Sequence, residues 1–187
     1  MISDTNPFNI ELILEFLITS ANLKKIMRQG WIDKLSIIRP ESVADHTFSM
    51  SIIGMVLSDL EGYNTEKILK MTILHDLAES IIGDITPEQK EKKEKFDLEN
   101  NSMQKILSTL PESIKGQYET IWNEFQNYES KEAKFVHEID KLEMALQAKI
   151  YSKEIDSPEK IIPFINYAKE GITDPIILKL FHQIYSK

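Results

Sequence analysis

The sequence predicts an all-α protein, with residues 1–187 folded as a single domain. Apolar residues recur at helical spacing in one segment after another. Only six glycines and seven prolines interrupt the 187 residues, and most prolines stand where a helix should begin or end. One stretch, from Ser130 to about Lys153, contains neither residue and carries a long apolar stripe. The composition, 42% hydrophobic and 28% charged, is that of a soluble globular domain large enough to bury a sizeable core.

Composition also narrows function. The chain has no cysteine, which excludes thiolate metal sites, thiol nucleophiles and disulfides and suits a cytoplasmic protein. A net charge of -8 without a dense basic block argues against nucleic acid as a partner. No apolar run approaches the roughly 20 residues of a membrane span, so no membrane partner is expected. The opening Met-Ile-Ser-Asp-Thr-Asn-Pro-Phe lacks the basic and apolar regions of a secretory signal.

From Phe8 to Met27, the spacing of Ile10, Leu12, Ile13, Phe16, Leu17, Leu23 and Ile26 predicts a core-facing first helix, with Gly30 as its terminator. In Arg28-Gln29-Gly30-Trp31, a solvated arginine and a packed tryptophan are the simpler readings. Arg39 precedes Pro40 and so approaches the next helix in an extended conformation. Ser42 is the expected N-cap, with Asp45 as its capping-box partner. His46 falls in the first turns of that helix, which continues through Met50, Ile53, Val56, Leu57 and Leu60 and closes at Gly62.

Thr65 caps the following helix, which holds Met-Thr-Ile-Leu-His-Asp-Leu-Ala-Glu-Ser-Ile-Ile-Gly-Asp (71–84). Ile73, Leu74, Leu77, Ile81 and Ile82 supply an apolar stripe, interrupted by His75, Asp76 and Glu79. At 3.6 residues per turn His75 and Glu79 stack, with Asp76 beside both. Burying an unpartnered carboxylate is costly, so this edge should face a cation or a wet cleft. The helix ends near Gly83, leaving Asp84 in a tight loop before Thr86-Pro87-Glu88-Gln89, a strong helix start.

Beyond it, Glu88/Lys92 and Glu91/Lys95 read as a solvated helix face. Apolar residues from Phe96 to Leu110 then precede a break at Pro111. A helix over 114–128 carries Tyr118, Ile121, Trp122 and Phe125 as core. In the long helix from Ser130, Phe135, Ile139, Leu142, Leu146 and Ile150 face inward. Val136, Asp140, Glu143 and Gln147 border that stripe, and His137 lies on an exposed side. Two short helices, 158–169 and 175–185, finish the chain.

Taken together, His46, the His75-Asp76 pair and Asp140 follow the order His…His-Asp…Asp. This order is similar to that of the HD-domain metal-dependent phosphohydrolases. The flanking Pro-Glu-Ser-Val-Ala-Asp-His (40–46), Leu-His-Asp-Leu-Ala-Glu (74–79), Gly-Asp-Ile (83–85) and Phe-Val-His-Glu-Ile-Asp-Lys-Leu-Glu-Met (135–144) narrow the match. They resemble the HD-domain 5′-deoxynucleotidases, in particular the small single-domain branch of archaea and eukaryotes. The likeness runs from about Leu23 to Tyr151.

The resemblance implies an HD-type bundle with a metal site in an interhelical cleft, completed by the helices of residues 158–187. It makes His46, His75, Asp76 and Asp140 the metal ligands. Two imidazoles and two carboxylates suit a divalent first-row ion, Mn²⁺, Co²⁺, Fe²⁺, Ni²⁺ or Zn²⁺. Glu79 would position or deprotonate the attacking water. Asp84 would meet the sugar 3′-hydroxyl, or a second and weaker site of the Mg²⁺ kind. Arg28 and Trp31 match an arginine near the phosphate and a tryptophan crowding the 2′ carbon, although Gln29-Gly30 separates them where some members have the two adjacent. Arg39 is an alternative to Arg28.

The implied activity is hydrolysis of deoxyribonucleoside 5′-monophosphates, carried out by a homodimer. An HD phosphohydrolase of nucleoside triphosphates or guanosine tetraphosphate would use the same ligands but needs more basic residues. A non-catalytic metal- or nucleotide-binding protein would have no use for Glu79 and Asp84.

Overall fold

Side-chain caps open five of the ten α-helices in the computed structural model, which describes residues 8–186. The Asn9 side chain accepts the Glu11 and Leu12 N–H groups and opens α1 (Ile10–Ala21). A 3-10 turn over Asn22–Lys25 leads to α2 (Gln29–Leu35). Ser42 and Asp45 close the expected capping box at the head of α3 (Val43–Glu61), and Gly62 ends that helix in the left-handed region at φ 71°. Asn64 caps α4 (Thr65–Leu74), one residue before the expected position. Next come α5 (Glu79–Ile82), α6 (Lys92–Leu107) and α7 (Glu112–Gln126). Ser130 caps α8 (Lys131–Tyr151). A 3-10 turn (Pro158–Ile161), α9 (Ile162–Gly171) and the Asp174-capped α10 (Pro175–Tyr185) complete the described chain. Among the described residues the one β-type pairing is a bridge between Met27 and Ser42.

α3, α4 and α8 pack against one another at the centre, with α7 over α4 and α8, and with α9 and α10 on α8. Met50, Ile68, Met71, Leu107, Ile139 and Ile177 are fully buried there. A smaller cluster of Trp31, Leu35, Ala148, Tyr151, Ile161 and Phe164 ties α2 to the end of α8 and to α9. Gly54 lets α3 approach α4, since a Cβ at that position would meet Ile68 Cγ2 at 3.0 Å and Thr72 Cγ2 at 3.4 Å. Gly54→Val is therefore expected to lower stability by about 1–3 kcal/mol through overpacking. Urea unfolding would read this as an earlier midpoint with an unchanged slope.

Several sequence expectations are corrected. α1 has no buried residue, and Ile10, Leu14, Leu17 and Ile18 are each more than half exposed. It lies on the surface beside the 3-10 turn, α5 and α6, so only one edge, including Phe16, meets the core. Gly30 sits in the first turn of α2 and does not end α1. Thr86-Pro87 opens a turn, and α6 starts later, at Lys92. Leu146 and Ile150 are exposed, because the smaller cluster covers α8 from the side of Ala148 and Tyr151. His137 is not exposed: its ring is stacked against both Phe125 and Tyr128, and Nε2 meets the Phe125 carbonyl at 2.9 Å. Burial there pulls its pKa down to about 4.

Candidate metal centre and active-site cleft

The helix that carries His75 does not run on to Gly83. His75 Nδ1 lies 2.7 Å from the Thr72 carbonyl, the acceptor that a continuing α-helix reserves for the Asp76 N–H. The chain tightens into i→i−3 bonds instead, from Leu77 N–H to Leu74, Glu79 N–H to Asp76 and Ser80 N–H to Leu77. The short α5 then ends at Gly83, whose φ of 78° turns the backbone towards Asp84. Helical stacking of His75 over Glu79 is thus replaced by a tight turn, which still brings Asp76 and Glu79 to one cleft.

His46, in the first turns of α3, and Asp140, midway along α8, complete the group. Ligand atoms of His46, His75 and Asp140 lie within 4.8 Å of one another. Asp140 Oδ1 is 3.2 Å from His46 Nε2, and Asp76 Oδ2 is 3.0 Å from His75 Nε2 and 3.9 Å from His46 Nε2. Asp76 borders the tight trio without joining it, and the same oxygen is 3.4 Å from Arg28 Nη1.

These residues fit a divalent cation. His46 Nδ1 lies 2.5 Å from the buried Glu143 carboxylate, and His75 Nδ1 faces a carbonyl, so each ring keeps its proton at Nδ1. Both Nε2 atoms are then bare lone pairs, buried and without a hydrogen-bond partner. A lone pair facing the Asp140 carboxylate at 3.2 Å needs a proton or a cation between them. Without a cation the proton serves. Burial and the Arg28 charge pull the His46 imidazole down, but Asp140 and Glu143 outweigh them and lift it to about 9. Burial works against ionisation of Asp76 and Asp140 as well, yet the neighbouring imidazoles and Arg28 hold both well below the usual carboxylate range.

Glu79 behaves in the opposite way. It is 2% exposed, its Oε2 has no partner, and burial together with the Asp76 and Asp84 charges pushes its carboxyl well above the ordinary value. A carboxyl raised in this manner, in a cleft, is a candidate to exchange a proton near neutrality. Asp84 Oδ2 accepts the Gln29 N–H at 2.6 Å. Arg28, the N-cap of α2, offers no side-chain cap of its own, so Asp84 caps that helix from across the cleft.

Arg28 and Trp31 both line the cleft. The intervening Gln29-Gly30 forms the first turn of α2, which puts the two at i and i+3 on one side. Trp31 is 2% exposed, donates Nε1–H to Glu41 at 2.9 Å and packs on Phe164 with ring centroids 4.4 Å apart. Arg39 is exposed and lines no part of the cleft. The cavity, about 440 Å³, also takes in Lys95, Lys141, Met144, Pro163, Phe164 and Tyr167.

Sequence reasoning missed several of these. Lys95 is no solvated charge: it turns inward from α6, and Nζ donates to the Ile85 carbonyl at 2.8 Å. The expected Glu88/Lys92 pair does not form on a helix; Glu88 meets Lys34 at 2.8 Å. Pro163, Phe164 and Tyr167 lie on α9, beyond the span of the quoted motifs. Glu143 was legible only as its place one turn from Asp140.

The HD domain family model matches residues 20–171, most of the chain. The chain belongs to the HD domain family. Human 5′-deoxynucleotidase HDDC2 is 34% identical over 173 residues, covering 92% of this chain and 84% of the human protein. The 5′-deoxynucleotidase hdd1 of Schizosaccharomyces pombe is 39% identical over 170 residues, covering 88% of this chain and 84% of its own. Among solved structures, PH0347 protein from Pyrococcus horikoshii OT3 aligns with a TM-score of 0.76 at 31% identity, over 91% of this chain and 97% of that one. The HD domain match extends past Tyr151 to the end of α9, so the helix bearing Phe164 and Tyr167 is part of it. No helix among the described residues is long and apolar enough to cross a membrane.

Proposed function

We propose that the protein is a metal-dependent 5′-deoxynucleotidase, which hydrolyses deoxyribonucleoside 5′-monophosphates to deoxynucleoside and phosphate. The observation that carries this reading is the convergence of His46, His75 and Asp140, with two orphaned Nε2 atoms, beside the raised carboxyl of Glu79. The names of the HD domain relatives supply the substrate class.

His46, His75, Asp76 and Asp140 hold the ion, one of Mn²⁺, Co²⁺, Fe²⁺, Ni²⁺ or Zn²⁺. When bound it polarises the phosphoryl group and acidifies a water. Arg28, paired with Asp76 in this structure, reaches the phosphate. Glu79 takes a proton from the attacking water, whose oxygen bonds to phosphorus as the bond to the 5′ oxygen breaks, and the leaving oxygen ends protonated as the nucleoside hydroxyl. Asp84 receives the sugar 3′-hydroxyl, or a second and weaker Mg²⁺-type site. The Trp31 indole narrows the space at the 2′ carbon. The exposed apolar side chains of α1 support a homodimer, and a cysteine-free chain suits the cytoplasm.

A second reading, hydrolysis of nucleoside triphosphates, draws on Lys34, Lys95 and Lys141, which line the same cavity as Arg28. Lys95 is committed to the Ile85 carbonyl and Lys34 to Glu88, which leaves less cationic capacity for a polyphosphate. A phosphate-release panel of deoxy- and ribonucleoside mono-, di- and triphosphates, with Mn²⁺, Co²⁺ or Mg²⁺ and a chelated control, separates the readings. Deoxynucleoside monophosphates should turn over fastest, and a triphosphate preference would reverse the assignment. Trp31→Phe, which trims the indole yet keeps an aromatic ring on Phe164, is expected to raise ribonucleotide turnover relative to deoxynucleotide turnover. Trp31→Ala is less suited, since emptying a fully buried tryptophan costs about 3–5 kcal/mol.

A further inference from the structure

Glu143 is 2% exposed and lies outside the cleft lining, yet its Oε2 is 2.5 Å from His46 Nδ1. Glu41, His46 and Glu143 together have the spacing of a second cation group. Two ligands of one first-row ion, each at its normal bond length, stand about 3 Å apart or more. The closer approach of Glu143 to His46 is therefore that of a hydrogen bond. Glu41 is engaged elsewhere, accepting Trp31 Nε1–H through Oε1 and giving its backbone N–H to the Tyr151 hydroxyl.

Asp140 and Glu143 are three residues apart on α8 and so project from the same side of the helix. One helix therefore places a carboxylate at each nitrogen of the His46 ring, Asp140 towards Nε2 and Glu143 at Nδ1. His75 is held differently, by the neutral Thr72 carbonyl. We propose that Glu143 is a positioning residue for the metal centre. It keeps the His46 proton on Nδ1, aims the Nε2 lone pair into the space shared with His75 and Asp140, and makes His46 the stronger of the two imidazole donors. This inference rests on the metal reading of the site.

The test uses the full chain, stripped of metal and titrated with Co²⁺ under chelator competition, with the visible absorption of the bound ion as readout. Glu143→Met fills the same space without an acceptor, and Glu143→Gln keeps an oxygen that can accept the Nδ1 proton. Loss of such an outer partner typically lowers metal affinity about 10–100-fold, and that loss is expected for Glu143→Met, with part of it recovered in Glu143→Gln. Nitrogen-15 NMR of the metal-free protein, at a pH above about 9 where the His46 ring is neutral, should show it protonated at Nδ1 in the wild type and no longer held to that tautomer in Glu143→Met. A role limited to packing would change the melting temperature but leave affinity and tautomer unmoved. Wild-type Co²⁺ affinity in both variants, or an unchanged His46 tautomer in Glu143→Met, would overturn the proposal. A wild-type protein that takes up no Co²⁺ would overturn the metal reading itself and this inference with it.

Discussion

Replacing His75 or Asp140 with alanine is expected to abolish metal uptake and phosphate release together, while circular dichroism stays that of the wild type. His75→Ala removes a buried Nε2 that has no hydrogen-bond partner and a single Nδ1 bond to the Thr72 carbonyl, whose place the Asp76 N–H can take. Asp140→Ala deletes a carboxylate that lines the cleft and adds no large cavity to the core. Losing an outer partner of a ligand costs about 10–100-fold in affinity, and losing a ligand itself should exceed that, to about 100-fold or more. Metal content after dialysis and phosphate release from a deoxynucleoside monophosphate give the two readouts. Activity that survives the loss of metal would end the assignment of these residues as ligands.

Glu79→Ala is expected to separate the two properties. It should retain the ion, since His46, His75 and Asp140 remain, but lose about 10²–10⁴-fold in kcat, the usual worth of general acid–base catalysis. Its raised carboxyl also predicts that Glu79→Gln, which cannot take a proton, falls as far as Glu79→Ala. A variant with wild-type kcat on a deoxynucleotide would remove Glu79 from the mechanism. Stability offers a second check. Burying a carboxyl against Asp76 and Asp84 is unfavourable, so Glu79→Gln should melt no lower than the wild type in the absence of metal.

Much of the fold was legible because local chemistry and tertiary packing agree. The Ser42–Asp45 capping box and the Gly62 stop are short-range signals, and the helix they bound is present. The candidate ligand trio of His46, His75 and Asp140 was legible because the order of its residues survives any arrangement of the helices. What periodicity could not reveal was which of several apolar stripes receives a neighbour. α1 is as apolar as a core helix yet is left largely uncovered, and the inward face of α8 rotates to meet α9 and α10. The break after Leu74 was hidden as well, because the competing donor is a side chain, and helical spacing does not register a ring N–H taking a backbone carbonyl. Lys95 misled for a similar reason: its partner, the Ile85 carbonyl, belongs to a loop with no sequence signature.

The hydrogen bond between His46 and Glu143 joins residues 97 positions apart. A polypeptide growing from its amino end has His46 and His75 long before it has α8. Until then the two imidazoles have neither the carboxylate that steers one of them nor the one that shares their ion. On the proposed ligand set the growing chain then has three of four ligands, and full affinity for the cation waits on the docking of a late helix. A chain cut short before residue 140 should therefore bind the ion less tightly than the full chain.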